Sequence, residues 1–319
     1  MTARLNRLFA LPTPTAGLAL GIAALGLCWE NSGLFAGQAR MAGAVVAAVL
    51  LLLLLAGFLL RPAQLLNEVK HPVMGSILPT FTMATMLVAS AAGGRLGLVL
   101  WLMAVAVHLL LLILFCVYRL RDFHLHQMVP SWYIPPVGII VANITLPDGA
   151  FSGLATILFW FSLVCYGLMQ PVMIYRFLFE PNVPDAAKPT LAIMAAPASL
   201  SLAGYLAVEP APSMLLVTIL LGVALLMTAI IYLALFRLAR LPFTPGYSAF
   251  TFPLVISATA LFKGATFLAR WPETASAATQ LLWLARLELA VATVVVVYVA
   301  TRYALWFMAA PASQTPQRG

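Results

Sequence analysis

The chain has 319 residues, 63% of them hydrophobic and only 8% charged, with a formal net charge of +8 and a mean hydropathy of +1.03. A globular chain carries about 25% charged residues, so a water-soluble domain of this length is excluded and the solvent is lipid. The basic residues punctuate apolar segments and form no run with interleaved aromatics, which argues against a nucleic-acid partner and for the positive-inside rule.

A membrane helix needs about 20 mostly apolar residues. On that measure ten segments are predicted in chain order, near 12–29, 41–60, 72–91, 96–118, 131–147, 150–175, 189–208, 213–236, 246–268 and 281–307. The first follows Arg4 and Arg7 and is long for a signal peptide, so it reads as an uncleaved helix. The tenth is interrupted near its start by Arg286 and Glu288, where snorkelling fits the charges to the bilayer edge. Twelve of the 17 basic residues fall on the side of both termini and five on the other, which predicts cytoplasmic termini in a bacterial inner membrane. Residues 1–11 and 308–319 read as cytoplasmic tails and 12–307 as one transmembrane domain.

The ten segments differ in kind. Segments two, four, eight and ten have no proline in their cores, and segment six has only Pro171 near its end. The odd segments are broken by prolines: Pro12 and Pro14 open segment one, Pro79 lies in three, Pro135 and Pro136 in five, Pro197 in seven and Pro253 in nine. Proline within a helix removes a backbone donor and kinks the chain. Broken backbone at membrane depth is tolerated against protein or a wet cavity, not against lipid. The expected fold is therefore an all-α polytopic membrane protein of five helical hairpins, with an inner ring of odd helices around a pore. Ordinary kinks in a packed bundle are the plainer alternative.

Hydroxyl and amide side chains follow the same split. Thr80, Asn143, Ser199 and Ser257 lie on odd segments, where they either line a wet path or bond to neighbouring helices. Between their ends the odd segments contain no Asp, Glu, Lys or Arg, which favours passive permeation over ion-coupled transport. Lys263, about 15 Å beyond Pro253 along a helix, is a candidate vestibule charge or an interfacial snorkel. His71 precedes Pro72 at the mouth of segment three, and His108 falls within segment four, as an interhelical hydrogen-bonding group. His124 and His126 read as a solvated loop, and the three cysteines as free thiols. No enzyme motif, metal site or cofactor site is evident.

Four stretches, PTPTAGLALGIAALGLCW, EVKHPVMGSILPTFTMATMLVA, YIPPVGIIVANIT and YSAFTFPLVISATALF, together resemble the TehA family, which includes bacterial tellurite-resistance channels, plant slow anion channels and fungal malate carriers. The resemblance covers nearly the whole chain. It implies ten helices in five hairpins, a pore through the odd helices, a homotrimer with one pore per subunit, and a phenylalanine on helix nine that plugs the pore. Phe252 is the residue that corresponds, with Phe250 the second candidate. Bacterial members carry a glycine after the plug, where this chain has Pro253. The function implied is passive passage of small inorganic anions such as chloride and nitrate across the bilayer. The alternative is a proton-coupled carrier of dicarboxylates or of tellurite- or sulfite-type oxyanions.

Overall fold

A computed structural model describes residues 9–35, 37–147, 151–180 and 182–309. The two expected tails lie mostly outside this range. All regular structure among the described residues is helical. In chain order it runs α1 (Thr15–Asn31), α2 (Gln38–Leu60), the short α3 (Pro62–Lys70), α4 (Met74–Ile77), α5 (Thr80–Ala92) and α6 (Gly94–Arg121). There follow α7 (Ile134–Val137), α8 (Val141–Ile144), α9 (Ser152–Phe179), α10 (Ala196–Val208), α11 (Met214–Leu238), α12 (Thr251–Leu268) and α13 (Ala275–Ala309).

Eight helical stretches among the described residues are long and apolar enough to cross a membrane. The expected count of ten is not met by continuous helices of that length. Segment one is the 17-residue α1. Segment five is a chain of short 3-10 and α turns from Pro130 to Ile144.

Burial separates the two classes. The stretches Met74–Ala92, Asp185–Val208 and Pro245–Leu268 are 67%, 72% and 83% buried over their most apolar windows, whereas α2, α6, α9, α11 and the stretch containing α13 are 28–33% buried. Residues 128–143 are buried without a break, and α1 is buried from Thr15 to Gly21. The odd segments are thus enclosed by the even ones.

The prolines occupy different positions from those expected. Segments seven and nine begin as 3-10 helices, Asp185–Ala195 and Pro245–Phe250, and convert to α-helix at α10 and α12. Pro197 is the second residue of α10 and Pro253 the third of α12; Pro79 immediately precedes α5, and Pro135 and Pro136 are the second and third residues of α7. These are first-turn positions, where the N–H has no intrahelical acceptor and the proline φ is already helical. Each of these prolines stands at a junction within its helical stretch, where a 3-10 or short α turn gives way to the next α-helix, and that junction is the break in the segment.

Backbone groups loosened by these breaks find partners. His108 of α6 donates from Nε2 to the Pro135 carbonyl at 3.0 Å, and its Nδ1 meets the Thr82 hydroxyl at 2.8 Å. The interhelical role expected for His108 is what the structure shows. Ser76 and Ser131 join two odd segments at 2.7 Å.

Small residues set the closest approaches. A Cβ on Gly26 would stand 2.4 Å from the Ala39 carbonyl oxygen, and one on Gly43 would stand 2.7 Å from that of Ile22. The α1–α2 crossing thus depends on both glycines. A Cβ on Gly222 of α11 would meet no atom within 4 Å. Gly26→Ala should lower stability by about 1–3 kcal/mol through overpacking, read as a fall in the thermal unfolding midpoint in detergent. Gly222→Ala should leave that midpoint unchanged or slightly raised.

Candidate functional site

The five odd segments enclose one cavity of about 240 Å³. Segment one contributes Pro12, Pro14, Gly17 and Leu20; segment three contributes residues from Val73 to Met83; segment five those from Tyr133 to Gly138. Segment seven contributes residues from Ala186 to Leu200 and segment nine those from Thr244 to Pro253. No lining residue comes from an even segment, and none is Asp, Glu, Lys or Arg.

The wall is mostly apolar, and its few hydroxyls are largely occupied. Thr80 donates to the Ile77 carbonyl at 2.7 Å, Thr190 to that of Ala187 at 2.6 Å, and Tyr133 to Gln170 Oε1 at 2.7 Å. Thr244 Oγ1 is buried without a partner among the described residues. The starts of α1, α5, α10 and α12 border the cavity. Helix N-termini carry partial positive charge. Preceding turns already engage some of the first N–H groups, as where Phe81 donates to Leu78 and Thr15 to Pro12. The result is a diffuse positive field in an apolar chamber, which suits a weakly held anion and not a tightly bound one.

Phe252 is on the lining and is 6% exposed. Its position follows from the contact between α1 and the start of α12. Thr251 Oγ1 lies 3.2 Å from the Gly17 carbonyl, and a Cβ on Gly21 would stand 2.2 Å from that same hydroxyl oxygen. Only glycine at position 21 lets α12 approach this closely, and the approach brings Phe252 to the cavity wall. Phe250 points the other way, packed on Tyr247 with ring centroids 4.8 Å apart, in the aromatic group that also holds Phe243 and Tyr303.

The other residues singled out in the sequence divide. Thr80, Pro197 and Pro253 line the cavity with Phe252; Pro79, Pro135 and Pro136 are not on the lining. Asn143, Ser199 and Ser257 are not on the lining. Asn143 Nδ2 donates to the Ala155 carbonyl at 2.7 Å, Ser199 to that of Ala195 at 3.0 Å, and Ser257 pairs with Thr228 at 2.9 Å. Hydroxyls in helices turn back to their own carbonyls when no better acceptor is near, so their placement on odd segments does not by itself make them pore residues. Lys263 is half-buried toward the far end of α12, with no ion pair among the described residues. His124 and His126 stack at 5.5 Å, and His124 meets Asp122 at 3.1 Å, all exposed.

Sequence reasoning misses the apolar part of the wall, above all Met83, Ile134, Val137 and Leu200. Nothing in their residue type distinguishes them from core. It also places Glu288 at a bilayer edge. Instead α13 begins at Ala275, and Glu288 is 4% exposed, on the buried stripe that includes Leu281, Ala285, Ala292, Val296 and Val299.

Residues 8–304 match the SLAC1 family, described as voltage-dependent anion channel. Two proteins of Methanocaldococcus jannaschii, each named an uncharacterized transporter, are also similar. One is 27% identical over 235 residues, 65% of this chain and 68% of the relative; the other is 27% identical over 218 residues, 59% and 62%. The matched stretches thus span about two thirds of the length of either relative.

His71, outside the spans, shapes the chamber's mouth. Its Nδ1 accepts the N–H groups of Val73 at 3.1 Å and Met74 at 3.2 Å. Only the neutral ring offers that lone pair. Burial first, and then the charge of Arg119, lower its pKa from the usual 6.5, with Glu68 opposing. The unfolded chain then binds the proton more readily. The cap's contribution is fully present above the ordinary histidine value and is lost as pH falls through the lower folded value. Acidification through that window should lower the thermal midpoint. His71→Asn, a cap that does not titrate, should remove this component of the pH dependence; an unchanged pH dependence in the variant would overturn the capping role.

Proposed function

Because the chain belongs to the SLAC1 family, we propose that it is a passive anion channel of the cytoplasmic membrane that passes small monovalent anions such as chloride and nitrate. The observation that carries this reading is a chamber without fixed charge, walled by all five broken segments and with Phe252 on its wall. In this reading α1 and the Pro130–Ile144 chain also cross the membrane. They complete ten crossings in five hairpins, with both termini cytoplasmic. The chain assembles as a homotrimer, each subunit with its own pore.

Phe252 acts as the plug. The chamber lies on the side where the odd segments begin, which is the cytoplasmic side by the distribution of basic residues. An anion entering there loses part of its hydration in an apolar space and is compensated by helix ends. With no counter-charge to trap it, it leaves as readily as it enters. Phe252 closes the way to the outer half through size alone. Pro253 in place of a flexible glycine ties movement of the ring to its own rotamers or to α12 as a unit.

The experiment is anion flux and bilayer recording with ion substitution on the reconstituted protein. Phe252→Ala should raise conductance on the order of tenfold or more, equivalent to removing at least ~1.4 kcal/mol of barrier, and Phe252→Leu should be intermediate. Selectivity among anions should persist. Phe250→Ala should not open the pore and should instead cost roughly 3–5 kcal/mol of stability, as for a core aromatic. A folded Phe252→Ala protein that conducts no better than the parent would remove the plug. Flux that requires a proton gradient and saturates at low turnover would replace the channel with a carrier.

Lys263 is assigned to the outer vestibule, where it raises local anion concentration. Neutralising it should reduce conductance at low ionic strength and not at high. A reduction independent of salt would overturn that assignment.

A further inference from the structure

Glu288 is the only carboxylic acid among the buried described residues. It sits well inside α13, on the face packed against α12. Its Oε2 has no hydrogen-bond partner among the described residues. Ser257 of α12 approaches the carboxyl and is itself paired with Thr228 of α11 at 2.9 Å. Tyr232 of α11 is near, with its hydroxyl also unpartnered, and so is the fully buried Cys28 of α1, whose thiol is hydrogen-bonded to Thr259 of α12. No described cation answers the acid. Arg286, on the same helix, is exposed and stacks over Trp283 at 5.2 Å; Arg40 pairs with Glu30 at 3.6 Å; and Lys263 of α12 makes no ion pair among the described residues.

Four helices thus place one hydroxyl against a carboxyl and a phenol and a thiol nearby, but no positive charge. A carboxylate held at membrane depth without a counter-ion is strongly disfavoured. The arrangement described is one that holds the neutral acid, whose O–H needs only an acceptor such as a hydroxyl oxygen. Releasing the proton to water leaves a charge that this pocket does not compensate, so the α12–α13 contact must admit water or shift. Ser257 is five residues beyond Phe252 on α12, about 7.5 Å along the axis. A shift at Ser257 is therefore transmitted by a rigid helix to the ring at the chamber.

We propose that Glu288 is a proton-binding site whose occupancy sets the position of α12: the protonated acid holds the closed packing, and loss of the proton to water loosens it and frees Phe252. The proton site stands on the Glu288 geometry alone. Its output rests on the channel reading given above, and the two are measured separately.

The full chain in liposomes is titrated by infrared difference spectroscopy, which reads the C=O stretch of a protonated carboxyl, and anion efflux is followed over the same pH range. The parent should show a protonated carboxyl band that disappears on alkalinisation, with efflux rising in step. Glu288→Gln, a neutral isostere, should lack the band and hold efflux at the parent's acid-side level at every pH. Ser257→Ala should shift the band's frequency in a protein that retains the acid, which tests the site even where the Gln variant folds poorly. Absence of a titrating band that depends on Glu288 would overturn the proton site. An efflux pH dependence identical in parent and Glu288→Gln would overturn the coupling. A band that titrates in a protein with no efflux at any pH upholds the proton site and overturns the channel reading instead.

Discussion

Everything in this molecule depends on the need of backbone amides and carbonyls for partners where no water is available. The even helices meet that need within themselves and are free to face lipid. The odd segments do not: they mix 3-10 and α turns and start helices at depth, so they survive only behind the even helices. The side chains that complete the accounting are few and specific. His108 reaches from an outer helix to the Pro135 carbonyl, and Thr82 meets the same ring from the opposite side. Removing water from the outside thus creates the inside: five irregular segments gathered around a common space.

That space has its chemistry because of what breaking the chain achieves. A continuous helix would carry its N-terminal partial charge to the membrane surface. Starting α10 and α12 at the chamber brings those ends inward, without the desolvation cost of an arginine or lysine at the same depth. Glycine contacts then decide which side chains face the chamber. Gly17 and Gly21 admit Thr251 against α1, and from that anchoring α12 presents Phe252 to the chamber and Ser257 to the Glu288 pocket, while Phe250, just before it, joins the aromatic group beside α13. One short stretch of chain connects three environments, each set by residues only a few positions apart.

Much of this is legible in the sequence. The alternation of proline-broken and proline-free segments maps onto the alternation of buried and exposed stretches, because the same constraint writes both. The separation of Phe252 from Phe250 follows from helical spacing. Other features are illegible for physical reasons. A proline does not say whether it kinks a helix or starts one; that depends on whether the preceding turns are α or 3-10, which is a matter of tertiary packing. A hydroxyl on an inner segment does not reveal whether it turns toward the chamber or back to its own carbonyl, and Ser199 turns back. Segment five is recognised as a span by its apolar length, but nothing in its composition says that it is divided into short 3-10 and α turns. For Glu288 a signal does exist: it falls in register with Leu281, Ala285 and Ala292 on the stripe that α13 buries, and that register outweighs the charge that points to a bilayer edge.

The 3-10 lead of segment seven has a geometric consequence. With three residues per turn, side chains three apart are eclipsed and do not spiral. Thr190, Ile193 and Ala196, all on the chamber wall, stand three apart, and most of that row lies in the Asp185–Ala195 stretch. They form a straight rail along the chamber wall, where an α-helix would carry the row around its own axis. The rise of about 2.0 Å per residue, against about 1.5 Å in an α-helix, also stretches the rail, so that few residues span a long reach of wall. A chamber edged in this way keeps one row of side chains in view along its length, and its bore there is set by the residue size at every third position.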